Sequence, residues 1–190
     1  MRRCSICVGM LSALVLLAGC QTPNTEKGSA QATAQKPCAK HAEKSAPCPA
    51  AATVEDLIID NADPGFRGEG SWDTGESEKN YKDGVVWAAG GDQATAKAVW
   101  SPDIKVPGTY EVYEWHGEDP NSDHASDAPF TINHQGGSAT VRVNFGENSG
   151  KWNRLGEFKF AAGTTGNVTL TNKASGNVIA DAVKFAYKGK

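Results

Sequence analysis

Between residues 54 and 190 the chain alternates apolar and polar side chains with a period of two, and this pattern most limits the folds open to it. Val141 and Val143, for example, flank Arg142. Successive side chains of a β-strand point to opposite faces, so such alternation is typical of strands that bury one face. No stretch of this region combines helical periodicity with capping residues, and we therefore predict an all-β domain.

About nine short strands are predicted in this domain, with glycine-containing turns between them. They lie near 57–60, 85–89, 94–100, 108–115, 129–133, 138–144, 154–160, 166–172 and 178–187. Spacings of roughly ten residues indicate an antiparallel sandwich or barrel. The domain contains none of the five cysteines, which agrees with a domain large enough to fold without disulfides.

Residues 1–19 have the layout of a secretory signal peptide. A pair of arginines precedes an uncharged, mainly apolar run of 14 residues, 6–19. That run is shorter than the roughly 20 residues that span a bilayer core. Cys4 and Cys7 form a C-x-x-C pair inside this segment, so we expect the pair to be removed with the signal and assign it no redox or zinc function.

The signal ends in Leu17-Ala18-Gly19-Cys20, which resembles the lipobox of bacterial lipoproteins. The resemblance implies cleavage before Cys20 and acylation of that residue, which anchors a protein stably in a membrane. The alternatives are an ordinary secretory cleavage nearby or an uncleaved anchor. Gln21, which is not Asp, fits sorting to the outer membrane in a Gram-negative cell. We therefore expect a lipid-anchored protein of the cell envelope.

Residues 20–53 are predicted to be a flexible tether behind the acylated cysteine. From residue 21 onward this segment contains no Leu, Ile, Val, Met or aromatic residue, and so cannot bury enough apolar surface to order itself. Cys38 and Cys48 are predicted to form a disulfide within the chain. An intermolecular disulfide and a metal or redox site with His41 remain alternatives, although these three residues fall short of the four ligands of a structural zinc site.

Segments spread over almost the whole of the 54–190 domain carry a family resemblance. They are Ile59 to Phe66, Gly70-Ser71-Trp72, Ala94 to Pro102, Pro107 to Tyr113, Asp127 to Phe130, His134 to Gly137, Lys151 to Gly156 and Val178 to Phe185. Together they resemble the golvesin C-terminal-like domain, which is also found in xanthan-lyase-type proteins and is described as carbohydrate-binding-like. The resemblance implies a jelly-roll β-sandwich of secreted or surface proteins that is not itself an enzyme. It supplies no ligand-binding residues to carry over.

The stretch from His116 to Asp127 is rich in carboxylates. Asp119, Asn121 and Asp123 have the alternate spacing of a calcium loop, with Asp127 as a further oxygen donor. The glycine that makes the sharp turn of an EF-hand loop is missing, so a solvated acidic loop is the alternative to a weak calcium site. A pair of these carboxylates used for glycoside hydrolysis is a third interpretation. The catalytic motifs G-x-S-x-G and H-E-x-x-H and a P-loop are absent from the sequence.

Aromatic side chains are the other candidates for ligand contact. In the predicted strand 108–115, Tyr110 and Val112 share one face, and Tyr113 and Trp115 share the other. If the first pair faces the core, the second pair is exposed or covered by a loop. We predict Tyr113 and Trp115 as a ligand platform, with a packed second face as the alternative.

These observations predict a lipid-anchored, non-catalytic binding module of the bacterial cell envelope, with a polysaccharide or other envelope glycan as its ligand. The alternatives are a protein–protein interaction module of an envelope complex and a hydrolase that uses the acidic loop 116–127. A formal net charge of −3 argues against a nucleic-acid partner. No cofactor is expected.

Overall fold

A computed structural model of the chain describes residues 53–118 and 123–190. In these ranges the chain contains twelve strands and no helix, and consequently none that is long and apolar enough to cross a membrane. The strands are β1 (Leu57–Ile59), β2 (Phe66–Glu69), β3 (Asp73–Gly75), β4 (Val85–Ala88), β5 (Lys97–Trp100), β6 (Gly108–Trp115), β7 (Ala128–His134), β8 (Gly137–Val143), β9 (Asn153–Phe160), β10 (Asn167–Thr171), β11 (Val178–Ala180) and β12 (Ala182–Gly189).

Two antiparallel sheets form the body of the domain. One has the strand order β1-β12-β6-β9, and the other has the order β2-β5-β10-β7-β8. The backbone N–H of Gln135, in the turn after β7, donates to the carbonyl of Lys159 on β9 at 2.8 Å. This bond ties the β7–β8 hairpin of the second sheet to the edge strand of the first, and so closes one side of the sandwich.

The core lies between the inward faces of these two sheets. Tyr110 and Val112 of β6 are completely buried, as are Ile132 of β7 and Leu170 of β10. Aromatic rings fill much of the space, and the edge-to-face pair Phe160–Phe185 has ring centroids 5.5 Å apart. Burial of the inward apolar side chains of β6, β7, β10 and β12 provides the main stabilisation of such a domain.

A third, small sheet extends the sandwich at one end, with the order β11-β4-β3. β11 pairs with β4 in this small sheet, whereas β12 pairs with β1 and β6 in the four-stranded sheet. Asp181 is the single residue between them, and it is 1% exposed. The indole Nε1 of Trp100 donates to its carbonyl oxygen at 3.2 Å, which ties the change of sheet to the core.

The predicted fold class, a jelly-roll-like antiparallel β-sandwich, is confirmed, but three details differ. β2 and β3 were not predicted, because their sequences, FRGE and DTG, lack apolar alternation. The predicted strand 178–187 is two strands in different sheets. β5 begins at Lys97 and not at residue 94, because a side chain takes the backbone N–H groups of Thr95 and Ala96 in place of a neighbouring strand.

That side chain is the buried amide of Asn172, which follows β10. Its Oδ1 accepts the N–H groups of Thr95 and Ala96 at 2.8 and 2.9 Å. Its Nδ2 donates to the carbonyl of Ala89 and to Oγ1 of Thr95, both at 2.8 Å. All four hydrogen-bonding positions of the amide are therefore used, and they join the segments after β4, before β5 and after β10.

We expect Asn172→Asp to lower the free energy of unfolding by about 2–4 kcal/mol, as measured by urea denaturation. The carboxylate keeps the acceptor positions, but it cannot donate to the Ala89 carbonyl and brings a charge into a buried site. Asn167→Asp is the matched control, because Oδ1 of Asn167 only accepts from Nδ2 of Asn133 at 2.7 Å. Equal losses in the two variants would contradict the role given to the Asn172 amide.

Candidate functional site

A cleft of about 260 Å³ opens at the end of the domain that carries the small sheet. Its floor is one face of that sheet, because Val85, Trp87 and Ile179 occupy matching positions on β4 and β11. Its rim comes from the residues after β3, the residues after β6 and the segment before β7. We call this the loop cleft, and its residues used below are Glu76, Ser77, Trp87, Glu118, Asp123 and Ile179.

Trp87 is the aromatic side chain of the loop cleft, and it is half-buried. Gly75 lies beside it, since a Cβ at that position would be 3.2 Å from Cδ1 of the indole. A side chain at residue 75 would therefore crowd the ring. The indole Nε1 of Trp72, Trp100 and Trp115 each donates to a backbone carbonyl. Among the described residues, Nε1 of Trp87 has no such acceptor.

The rim of the loop cleft carries three carboxylates. Glu118 forms an ion pair with Lys79, and this ammonium lowers the pKa of Glu118. Ser77 Oγ accepts the backbone N–H of Glu118 at 2.8 Å and that of Lys79 at 3.1 Å, which joins the two sides of the rim. Glu76 and Asp123 are exposed, and neither side chain has an ion-pair or hydrogen-bond partner within the described ranges.

A buried pair of side chains supports the rim from below. Glu114 and His116, at the end of β6, are both completely buried, and Nδ1 of His116 lies 3.0 Å from Oε2 of Glu114. Nε2 of His116 is 3.0 Å from the carbonyl of Glu147, and because a carbonyl only accepts, Nε2 carries a proton. One further proton is then shared between Nδ1 and Glu114, so the pair is neutral overall. It holds the chain before Glu118 against the loop after β8.

Two more buried carboxyl groups lie at the same end of the four-stranded sheet, Asp60 and Asp181, and neither lines the loop cleft. Each accepts a backbone N–H at Oδ2, from Ala62 and Tyr81 respectively, and has no partner at Oδ1. Burial raises the pKa of Asp181 to about 7, and the carboxyl groups of Asp60 and Glu114 add to the rise. Burial also raises the pKa of Asp60.

Tyr113 and Trp115 do lie on the face of β6 opposite Tyr110 and Val112, and both are half-buried. Trp115 stands edge-on to two rings, those of Tyr81 at 5.7 Å and Trp152 at 5.3 Å, and its Nε1 donates to the Lys79 carbonyl at 2.8 Å.

The ammonium of Lys184 lies 4.6 Å from the ring centroid of Tyr113 and 4.9 Å from that of Trp152. We call this surface the aromatic platform, formed by Tyr81, Tyr113, Trp115, Trp152 and Lys184. Ring edges and a lysine chain therefore cover much of the two side chains that the sequence predicted as a ligand platform, and their role stays a prediction.

The four candidate calcium ligands are not all placed. Asp119 and Asn121 lie outside the described residues. Asp123 lies on the rim of the loop cleft, whereas Asp127 accepts the N–H of Ser175 at 2.8 Å and pairs with Arg142. The Ser175 backbone N–H, its hydroxyl and Arg142 lower the pKa of Asp127. Within 53–118 and 123–190, no three His, Cys, Asp or Glu side chains are grouped to hold a metal ion.

Cys20, the predicted acylation site, and the predicted disulfide partners Cys38 and Cys48 also lie outside the described residues.

The family model of the golvesin C-terminal domain matches residues 57–187. The chain belongs to this family. Its golvesin C-terminal domain is 30% identical over 139 residues to xanthan lyase of Bacillus sp. strain GL1, a match that covers 70% of this chain and 15% of the lyase. The chain thus spans only a small part of that relative.

Solved structures give the same picture of the fold. Xanthan lyase of Paenibacillus superposes with a TM-score of 0.65 at 33% identity, over 70% of this chain and 13% of the lyase. A family 35 carbohydrate-binding module from Cellvibrio japonicus superposes with a TM-score of 0.51 at 17% identity, over 72% of this chain and 95% of that chain. At this low identity the second match supports the β-sandwich fold alone.

Sequence reasoning missed the loop cleft, although it named Asp123. Trp87 was placed in a predicted strand but not singled out, and Glu76 follows β3, which was not predicted. The spacing of Val85 and Trp87 indicates that they share a face. That face becomes the floor of a cleft only because β4 pairs with β3 and β11, which the local pattern does not reveal.

We expect the free energy of unfolding to fall as the pH rises from about 4 to about 7, because the pKa of Asp181 is higher in the folded state than in the unfolded state. Between these two pKa values the folded protein keeps the Asp181 carboxyl group protonated, whereas the unfolded chain loses the proton. The stabilisation is therefore complete below the pKa of the unfolded state and is lost as the pH rises through the pKa of the folded state. One proton accounts for at most about 1.4 kcal/mol per pH unit.

Asp181→Asn removes this ionisation, so the free energy of unfolding of the variant should decrease less as the pH rises. The smaller contribution of Asp60, in the same direction, should remain. Urea denaturation at several pH values measures the free energy of unfolding, with the exposed Asp92→Asn as control. An unchanged pH dependence in Asp181→Asn would show that Asp181 does not carry it.

Proposed function

We propose that this golvesin C-terminal domain is a non-catalytic module that binds a polysaccharide in the loop cleft, and that an acylated Cys20 anchors it in the bacterial cell envelope. The observation that carries the proposal is the half-buried indole of Trp87 in a cleft whose rim holds Glu76 and Asp123, two exposed carboxylates without a partner among the described residues. An indole offers an apolar face to the C–H groups of a sugar ring, and carboxylates accept hydrogen bonds from its hydroxyls.

Three carboxyl groups at this end of the domain are poor candidates for the general acid of a glycosidase. A general acid for glycoside hydrolysis needs a raised pKa and contact with the substrate. The pKa values of Glu118 and Asp127 are lowered by their partners. The pKa of Asp181 is raised, but this side chain is 1% exposed and does not line the cleft. His116 is completely buried and cannot contact a ligand.

The relatives support a carbohydrate ligand. Xanthan lyase is named for a reaction on a polysaccharide, and this chain shares with it a segment that is a small part of the enzyme. A segment that forms a small part of such an enzyme suits a module that holds the polymer. The aromatic platform, with Tyr113 and Trp115, is the second candidate surface, but its rings already contact one another and Lys184.

Trp87→Ala should weaken binding of the full chain to its polysaccharide by about tenfold or more, which corresponds to 1.4 kcal/mol, because the stacking surface is lost. Tyr113→Ala is the matched variant for the aromatic platform and should leave the affinity within about twofold. A polysaccharide array identifies the ligand, and calorimetry in mild detergent measures both variants. The reverse ranking would move the site to the aromatic platform, and binding to no glycan would reject the function.

Membrane anchoring is tested separately through the cysteines. In Cys20→Ser cells the protein should be lost from the membrane fraction, because the acyl acceptor is removed. The Cys38→Ser variant should remain in the membrane fraction like the unmodified protein. Immunoblots of fractionated cells, with mass spectrometry of the N-terminal peptide, measure both effects. Retention of Cys20→Ser in the membrane would contradict lipid anchoring at this residue.

A further inference from the structure

Carboxylates outnumber cationic side chains in the loop cleft. Glu76, Glu118 and Asp123 contribute three negative charges, and Lys79, paired with Glu118, contributes one positive charge. His124 also lines the cleft, and its charge when protonated acts on Glu118. The described lining includes no lysine or arginine, and within the described ranges Glu76 and Asp123 form no ion pair.

A neutral sugar does not remove this imbalance. Its hydroxyls can donate to Glu76 and Asp123, but binding would strip water from two carboxylates that form no ion pair among the described residues, and this desolvation is costly. A sugar with its own carboxylate adds repulsion to that cost. An ammonium group, in contrast, forms charge-assisted hydrogen bonds with carboxylates and is also attracted to the face of an indole.

The aromatic platform differs from the loop cleft in charge. Lys184 lies over Tyr113 and Trp152 and pairs with Asp56. Arg154 and Lys188 both pair with Glu111, which accepts a hydrogen bond from the Tyr113 hydroxyl. The cations beside the platform therefore have carboxylate partners, whereas the carboxylates beside the indole of the loop cleft outnumber the lysine that pairs with one of them.

We infer that the loop cleft selects saccharide units that carry a free amino group, with the ammonium held by Glu76 and Asp123 and the sugar ring on Trp87. This inference rests on the proposed binding of a polysaccharide and names its chemical class. N-acetylation of the amine removes the charge and the selection with it. A uronic acid unit is rejected by the same carboxylates.

Calorimetry with three hexamers of matched length tests the inference on the full chain in mild detergent: glucosamine, N-acetylglucosamine and galacturonate. At about pH 6 the amine is protonated and exposed carboxylates are ionised. We expect the glucosamine hexamer to bind at least about tenfold more tightly than the acetylated one, and less tightly as salt is added. No binding of the galacturonate hexamer in the cleft is expected.

The contribution of the two cleft carboxylates is tested with two double variants that change the net charge of the protein equally. Glu76→Gln with Asp123→Asn should reduce the preference for glucosamine to about twofold or less, because the carboxylates are lost while the shapes of the side chains are kept. Glu55→Gln with Asp92→Asn, at exposed positions that do not line the cleft, should keep the preference. Equal losses in both double variants would show that the ligand follows overall charge, and would overturn the inference.

Two further outcomes separate this inference from the proposed function. If the acetylated hexamer binds as tightly as glucosamine, and Trp87→Ala weakens both, the cleft binds glycans without selecting amines, and only the inference is overturned. If Trp87→Ala leaves every glycan interaction unchanged, the cleft is not the binding site, and the inference and the proposed site are both rejected.

Discussion

Asp181 takes the chain from the small sheet into the four-stranded sheet within one residue, and both candidate surfaces are positioned by that step. Before it, β11 supplies Ile179 to the floor of the loop cleft. After it, β12 supplies Lys184 to the aromatic platform. The Trp100 indole donates to the backbone carbonyl of Asp181, and the backbone N–H of Tyr81 donates to its carboxyl group. Asp181 therefore joins the core to the loop before β4.

Such a junction has an energetic cost that the rest of the domain offsets. A buried carboxyl group with one unpartnered oxygen is unfavourable in its charged form, which is why burial raises the pKa of Asp181 to about 7. Apolar burial along the long strands is large enough to outweigh a penalty of a few kcal/mol. The neutral pair of Glu114 and His116 differs from the Asp181 carboxyl group, because in that pair the carboxyl group and both ring nitrogens have partners.

These buried contacts also explain why the loop cleft exists before any ligand arrives. Ser77 joins the two sides of the rim, and His116 holds the chain below Glu118. A rim held in this way loses little conformational entropy on binding, which favours affinity. Trp87, Glu76 and Asp123 lie on this framework. The proposed function thus uses polar groups for which the described part of the fold provides no partner.

The sequence by itself determined most of the strands and which side chains share a face. Alternation with a period of two put Tyr110 and Tyr113 on opposite faces of their strand, and extended motifs identified the family. It could not determine that Trp87, Glu76 and Asp123 line one cleft. β3 has only three residues and no alternation, so it was not predicted. Asp181 divides a stretch whose pattern predicts a single strand. The tertiary structure decided this, because side-chain periodicity records which face of a strand is buried but not which strand lies beside it.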